Sequence, residues 1–141
     1  MTIYCEIVTQ DKIVYKGDAD IVILPGINGI MGILPNHAPL LSMLQMGIIT
    51  IRKADINQFF TVAGGVAEIQ PDQVTVLADM AENVEEIDIA RAEAAKQRAE
   101  NLLKQEPVHN TGAYMALLTA LRRSNLRLNA VKRYRHRRLG H

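Results

Sequence analysis

The sequence predicts a mixed β and α fold, with an N-terminal antiparallel β-sandwich followed by a C-terminal two-helix hairpin. Short apolar runs separated by turn residues fill the N-terminal part of the 141-residue chain. Seven of nine glycines and four of five prolines lie at or before position 71. Beyond that position, helix-forming residues dominate long stretches with little glycine or proline. We therefore divide the chain into a sandwich domain, residues 1–85, and a helical domain, residues 86–141.

The strands are predicted from β-branched and apolar runs bounded by polar turns. Ile3, Cys5 and Ile7 fall on one face of the first run, with the period of two expected of a half-buried strand. Further strands are predicted at IVYKG, ADIVIL, GIITIR, QFFTVA, VAEI and VTVLAD. QPDQ, between the last two, carries a Pro-Asp pair suited to a type I turn. Many short strands at this spacing indicate an antiparallel sandwich or barrel.

Two helices are predicted after the strands. EEIDIARAEAAKQRAENLLKQE contains neither Gly nor Pro, and Asp88 with the two preceding glutamates favours a helix N-terminus there. Pro107 ends this helix, and a second is predicted over 113–134. The predicted apolar positions are Ile87, Ala94, Ala95, Leu102 and Leu103 on the first helix and Leu117, Leu118, Leu121, Leu128 and Val131 on the second. The acidic first helix is expected to face the basic second helix.

Composition excludes several classes of function. The absence of Trp and the scarcity of other aromatics argue against a stacking platform for single-stranded nucleic acid. A single cysteine, Cys5, excludes an internal disulfide framework and a multi-thiolate metal site. The N-terminus lacks the pattern of a signal peptide, and no apolar run reaches the length of a membrane span. We expect a cytoplasmic chain whose membrane attachment depends on a partner.

Charge is unevenly distributed along the chain. Residues 79–106 carry eight acidic and four basic residues, whereas residues 107–141 carry eight Lys or Arg and no acidic residue. The basic end therefore needs an anionic partner, either within the molecule or outside it. Nucleic acid, an anionic membrane and an acidic protein surface would each fit the tail KRYRHRRLGH, and the composition leaves all three open.

The glycine-rich stretch PGINGIMGILPNHAPLL is predicted to form turns and not a nucleotide loop. No Lys, Ser or Thr follows Gly32 as a phosphate loop requires, and Pro35 discourages the helix that a dinucleotide fingerprint requires. His37 has no acidic residue in its loop, so we assign no catalytic residue and no metal ligand. A hydrogen-bonded histidine at an interface is the favoured interpretation, and a hydrolase built on His37 is the disfavoured one.

Four arginines occupy matching faces of the two predicted helices. Arg91 and Arg98 lie seven residues apart, and Arg123 and Arg127 lie four apart, so each pair shares a helical face. Guanidinium groups from two antiparallel helices can converge on one phosphate and bind its oxygens bidentately.

Acidic residues near the first helix allow two interpretations of these arginines. Glu82 and Asp88 can accept hydrogen bonds from a base or ribose. Alternatively, the arginines are solvated or paired with the neighbouring glutamates Glu82, Glu85, Glu86 and Glu93. The residues alone favour this second interpretation, because charge runs on helices usually face solvent.

Three blocks, in this order and spacing, resemble the epsilon subunit of bacterial F-type ATP synthases. They are LPGINGIMGILPNHAPLLSML, VAGGVAEIQPDQVTVLADMAE and EIDIARAEAAKQRAE, and the resemblance runs almost end to end. It implies a β-sandwich with two helices, and a non-catalytic subunit in the central stalk of a rotary proton-translocating enzyme. The implied partners are the gamma subunit, the c-ring and, when the hairpin extends, the alpha/beta catalytic hexamer. The implied location is peripheral, on the cytoplasmic face of the membrane through the complex.

The resemblance also implies roles for particular residues. Ile30, Met31 and His37 match the rotor-contact region, and Ile30 stands where the family often has an acidic residue, which implies a more apolar contact. In some members ATP binds the folded-down hairpin, whereas the extended hairpin blocks ATP hydrolysis. The residues that match this regulatory ATP site are Glu82, Asp88, Arg91, Ala92, Arg98, Arg123 and Arg127. Neither ATP hydrolysis by this chain nor any other cofactor is implied.

Overall fold

The structure is a computed structural model that describes residues 1–105 and 111–137. Its strands are β1 (Ile3–Val8), β2 (Ile13–Ala19), β3 (Ile21–Gly26), β4 (Gly29–Ile33), β5 (Leu40–Leu44), β6 (Gly47–Lys53), β7 (Ile56–Val62), β8 (Gly65–Ile69), β9 (Gln73–Ala78) and β10 (Ala81–Asn83). A 3₁₀ turn (Val84–Glu86) then leads to α1 (Ile89–Gln105) and α2 (Gly112–Tyr134). The mixed architecture predicted from the sequence is confirmed. No helix in the described ranges is long and apolar enough to cross a bilayer.

The strands form one sheet that closes on itself as a sandwich. Their order is β10-β7-β6-β3-β5-β8-β9-β1-β2, with β4 paired to β3 beside this path. Buried residues from distant strands meet in one core cluster, which requires the sheet to fold over and face itself. The pairs are antiparallel except for β1 and β9, which run parallel. The predicted antiparallel sandwich is therefore confirmed except for this pair. β1 and β9 can run parallel because the chain between them is long, whereas a short hairpin would force them to be antiparallel.

The core follows the alternation of the strands. Ile3, Cys5 and Ile7 are fully buried on one face of β1, as predicted. Burial raises the pKa of the Cys5 thiol to about 12, so this cysteine is a neutral core residue and not a nucleophile. Phe60 is also fully buried, with its ring centroid 5.4 Å from that of Tyr15. Branched and aromatic side chains from both layers therefore hold the sandwich together.

The glycine stretch contains strands that the sequence did not predict. β3 and β4 form a hairpin in which Gly26 pairs with Gly29 across a two-residue turn. Gly29 has φ +138°, a conformation that disfavours L side chains, and a Cβ on Gly26 would lie 2.8 Å from the carbonyl oxygen of Gly29. Gly32 has no such constraint. Two of the three regularly spaced glycines, Gly26 and Gly29, are thus required by the geometry of the hairpin. Like β4, the strands β5 and β10 lie where no strand was predicted.

The helices begin at capping residues. Arg91 N donates to Asp88 Oδ1 at 3.0 Å, so α1 starts after Asp88 and not at the glutamates before it. Those glutamates lie in the 3₁₀ turn. Thr111 Oγ1 accepts from Tyr114 N at 3.1 Å at the start of α2, which begins within one residue of its predicted position. Both starts therefore use side-chain oxygens to satisfy free backbone donors.

The buried residues of the two helices are small. The buried helical residues are Ala92 and Ala99 in α1 and Ser124 and Ala130 in α2. The predicted apolar positions of α1 are wrong for Ala94 and Leu102, which are exposed. The two helices face each other as expected. No ion pair joins α1 to α2 within 1–105 and 111–137. The ion pairs of the α2 end go to Glu82 and Glu85.

Candidate functional site

The C-terminal end of α2 lies against the sandwich. The ring of Tyr134 stacks on that of Phe59 in β7, with centroids 4.6 Å apart and planes inclined by 30°. Val84, Ile87 and Ala130 are buried in the same small cluster. The hairpin is thus folded down on the sandwich through one aromatic stack and a few apolar side chains.

Arg135 reinforces this contact through the backbone. Its Nη2 donates to the carbonyl oxygens of Ile87 at 2.6 Å and Val84 at 2.8 Å, and its Nε donates to the Val84 oxygen at 3.2 Å. The Arg135 guanidinium therefore binds the 3₁₀ turn that precedes α1, through Val84 in the turn and Ile87 directly after it. His136 N also donates to Glu85 Oε1 at 3.0 Å. We call Tyr134, Arg135 and His136 the C-terminal anchor.

A cleft of about 320 Å³ opens between the docked helices and the sandwich. We call it the cation cleft, because four basic side chains and one carboxylate are among its lining residues. The lining residues are Lys12, Thr61, Ala63, Met80, Ala81, Glu82, Arg91, Arg123, Leu126 and Arg127. This charge excess favours an anion that carries several negative charges.

Two arginines of α2 are held differently in this cleft. Arg127 binds Glu82 bidentately, with Nε 2.9 Å from Oε1 and Nη2 3.3 Å from Oε2. Arg123 Nε is buried and has no hydrogen-bond partner within the described part of the chain. A buried guanidinium nitrogen without a partner carries a desolvation cost that a bound anion would relieve.

A second cleft, of about 250 Å³, adjoins the cation cleft and shares Met80, Arg123 and Arg127 with it. It runs between the two helices, where Arg98 supplies a further cation and Leu102 and other apolar groups supply most of the wall. The two clefts together join a polar end to an apolar end, which is the combination that small-molecule sites usually show.

The predicted ATP-site residues divide into three groups. Glu82, Arg91, Arg123 and Arg127 line the cation cleft, and Arg98 lines only the adjoining cleft. Asp88 caps α1 and Ala92 is fully buried, and neither lines these clefts.

Sequence reasoning missed the sandwich side of the cation cleft. Lys12, Thr61 and Met80 line it, although they lie in a turn, a strand and the segment before β10. Nothing in their local sequence marks them, because only the folded chain brings these elements together. Arg135 was likewise missed as an individual residue within the basic tail.

The sandwich also carries an exposed apolar patch, which lies at the β3–β4 turn and on β5. Its residues are Ile27, Ile30, Leu40, Leu41 and Met43, all exposed, and they line a shallow groove of about 420 Å³. Ile30 is 78% exposed, whereas Met31 is half-buried and packs against the core. Exposed apolar patches of this kind mark protein–protein contacts.

His37 lies beside this region in a local hydrogen bond. Its Nδ1 is 2.7 Å from the carbonyl oxygen of Ala38, to which it donates. In the described residues no group of three or more His, Cys, Asp or Glu side chains is placed to hold a metal ion. The hydrogen bond expected of His37 is therefore present within its own loop, and its place at an interface stays a prediction.

Family models match both parts of the chain. The ATP synthase delta/epsilon chain β-sandwich domain matches residues 2–84, and the long α-helix domain of the same chains matches residues 85–132. The chain belongs to the ATP synthase delta/epsilon family. The recognition made from the sequence blocks is therefore confirmed, and the family models give the nucleic-acid alternative no support.

Relatives and solved structures agree with this assignment. The chain is 41% identical over 132 residues to the ATP synthase epsilon chain of Halalkalibacterium halodurans, covering 94% of this chain and 98% of the relative. It is 44% identical over 128 residues to that of Moorella thermoacetica, covering 89% and 93% respectively.

Two solved structures share the fold. They are a chain of the Euglena gracilis mitochondrial ATP synthase (TM-score 0.69, 21% identity, 85% of this chain and 75% of that chain) and a chain of the Tetrahymena thermophila mitochondrial ATP synthase central stalk and c-ring (TM-score 0.60, 15% identity, 93% and 97%).

Proposed function

We propose that this chain, an epsilon subunit of the F-type ATP synthase central stalk, is a non-catalytic subunit that couples the gamma subunit to the c-ring. Its hairpin is then a regulatory element, docked on the sandwich in one state and extended toward the alpha/beta hexamer to inhibit ATP hydrolysis in the other. The subunit is placed on the cytoplasmic face of the membrane by the complex. The observation that carries the proposal is the family match over both domains.

The apolar patch supports the coupling role. Five exposed apolar side chains on the β3–β4 hairpin and β5 provide a surface that a partner would remove from water. Leu41, which is 70% exposed, lies within this patch, and Ile56, which is 46% exposed, lies outside it at the β6–β7 turn. These two residues allow a matched test of where the rotor binds.

The test is co-purification of the chain with a gamma subunit and assembly of the pair on a c-ring. We expect the wild type and Ile56→Asp to form the complex, and Leu41→Asp to lose contact with gamma or the c-ring because it places a charge in a desolvated interface. Failure of the wild-type chain to bind gamma would overturn the coupling role.

The cation cleft supports regulation by ATP. Arg91, Arg123 and Arg127 line it together, and guanidinium groups can bind phosphate oxygens bidentately, so the site suits the phosphate chain of a nucleotide. Both helices and the sandwich line the cleft, so a nucleotide bound there would favour the docked hairpin over the extended one. ATP would then oppose inhibition by stabilising the docked state.

Calorimetry with ATP on the full chain tests the nucleotide site. Arg123→Gln removes the partly buried guanidinium, and Arg122→Gln is its matched control, because Arg122 is exposed and does not line the cleft. We expect at least tenfold weaker binding for Arg123→Gln and wild-type binding for Arg122→Gln. No heat from the wild type at millimolar ATP would exclude the site.

A further inference from the structure

One cation of the cation cleft belongs to neither helix. Lys12 lies in the turn between β1 and β2, on the sandwich, and it lines the same cleft as three arginines of the helices. The turn is closed by hydrogen bonds: Thr9 N donates to the Lys12 carbonyl oxygen at 2.9 Å, and Lys12 N donates to Thr9 Oγ1 at 3.3 Å. The backbone that carries Lys12 is thus held in place, while its side chain is exposed to solvent and to a ligand in the cleft.

The charges of the cleft are incompletely balanced. Glu82 is engaged by Arg127, and in the described residues no ion pair involves Lys12, Arg91 or Arg123. Two of these cations lie on the hairpin and one on the sandwich. A polyanion in the cleft would therefore be attracted from both domains at once.

We propose that Lys12 is a further ligand-binding residue, which contacts the phosphate chain of the nucleotide from the sandwich side. The inference rests on the proposed nucleotide site and adds a phosphate contact from outside the hairpin. A phosphate chain held by Lys12 and by the hairpin arginines bridges the two domains. The bound nucleotide then stabilises docking directly, because the bridge exists only when the hairpin is folded down.

The test compares ATP binding by four full-length proteins at low ionic strength: wild type, Lys12→Gln, Lys12→Arg and Lys16→Gln. Lys16 is the matched control, because it is an exposed lysine on the adjoining strand that does not line the cleft. We expect about 1.5- to fivefold weaker binding for Lys12→Gln, the range for losing one exposed charge contact. Lys12→Arg should restore binding, and Lys16→Gln should match the wild type.

A second measurement tests the bridge itself. Hydrogen exchange of α2 amides is followed with and without saturating ATP, and Lys12→Gln is expected to lose part of the ATP-induced protection without a change in the nucleotide-free exchange. Equal affinity of wild type and Lys12→Gln would overturn the role of Lys12 and leave the nucleotide site standing. An equal loss of affinity in Lys16→Gln would show that the effect comes from net charge, and it would also overturn the role of Lys12. No ATP binding by the wild type would instead overturn the proposed nucleotide function.

Discussion

The sandwich and the hairpin bury very different side chains. The sandwich core consists of fully buried Ile, Val, Leu and Phe residues from both layers. The helices bury two alanines in α1 and a serine and an alanine in α2. Since the hydrophobic contribution scales with the apolar area removed from water, the sandwich core stabilises the fold more than the small docking surface of the hairpin does.

This difference fits the regulatory role proposed for the hairpin. The docked hairpin is held by the Phe59–Tyr134 stack, by Arg135 on two carbonyl groups and by the Arg127–Glu82 pair. Each of these contacts is local and can break without opening the sandwich core. The cost of undocking is therefore a sum of a few polar and aromatic contacts, which a ligand or partner can outweigh.

The largest effect is expected from Phe60→Ala in the sandwich core. The substitution removes a fully buried ring and leaves a cavity, which typically lowers the free energy of unfolding by about 3–5 kcal/mol. Urea unfolding followed by circular dichroism measures this change.

Phe59→Ala is the matched control for the comparison between the two regions. Phe59 is adjacent in sequence but faces Tyr134 on the hairpin. We expect this variant to keep the sandwich transition close to that of the wild type and to increase hydrogen exchange at the end of α2. An equal loss of global stability in both variants would contradict the separation of the two regions.

An intermediate effect is expected from Arg135→Gln in the C-terminal anchor. The change removes charged hydrogen bonds to Val84 and Ile87 and is expected to lower the free energy of docking by about 2 kcal/mol. Native-state hydrogen exchange of α2 measures that opening. Lys132→Gln is the control, because Lys132 is exposed in the same last turn. Unchanged exchange in Arg135→Gln would show that Arg135 does not contribute to docking of the hairpin.

The smallest effect is expected from the Arg127–Glu82 pair. Its side chains are 27% and 32% exposed, so solvent weakens the attraction, and the coupling energy should lie below about 1 kcal/mol. A double-mutant cycle with Arg127→Gln and Glu82→Gln, read by exchange in α2, measures it. A coupling of several kcal/mol would mean that this pair, and not the anchor, dominates docking.

Several features were predictable from the sequence because their signals are local. Alternation of Ile3, Cys5 and Ile7 predicts a half-buried strand from geometry alone, and the structure buries these side chains on one face. The absence of Gly and Pro over residues 85–106 predicts α1, and Asp88 marks its start. The four arginines could be assigned to shared helical faces because helical spacing determines direction. Three of them do line one cleft.

The tertiary structure decided what depends on contacts between distant residues. The parallel pairing of β1 with β9 and the strands β4, β5 and β10 follow from pairing partners that local patterns do not identify. Glu82 and Arg127 are 45 residues apart, and Arg135 reaches carbonyl groups 48 and 51 residues away. Lys12 enters the cleft only because the β1–β2 turn lies beside the docked hairpin.

By itself, then, the sequence determined both helices, most of the strands, the buried face of β1 and the family to which the chain belongs. Chain folding determined which arginines are neutralised within the molecule and which remain available to an anion. The physical reason is that secondary structure depends on neighbours within a few residues, whereas the balance of charge in a cleft depends on every element that reaches it.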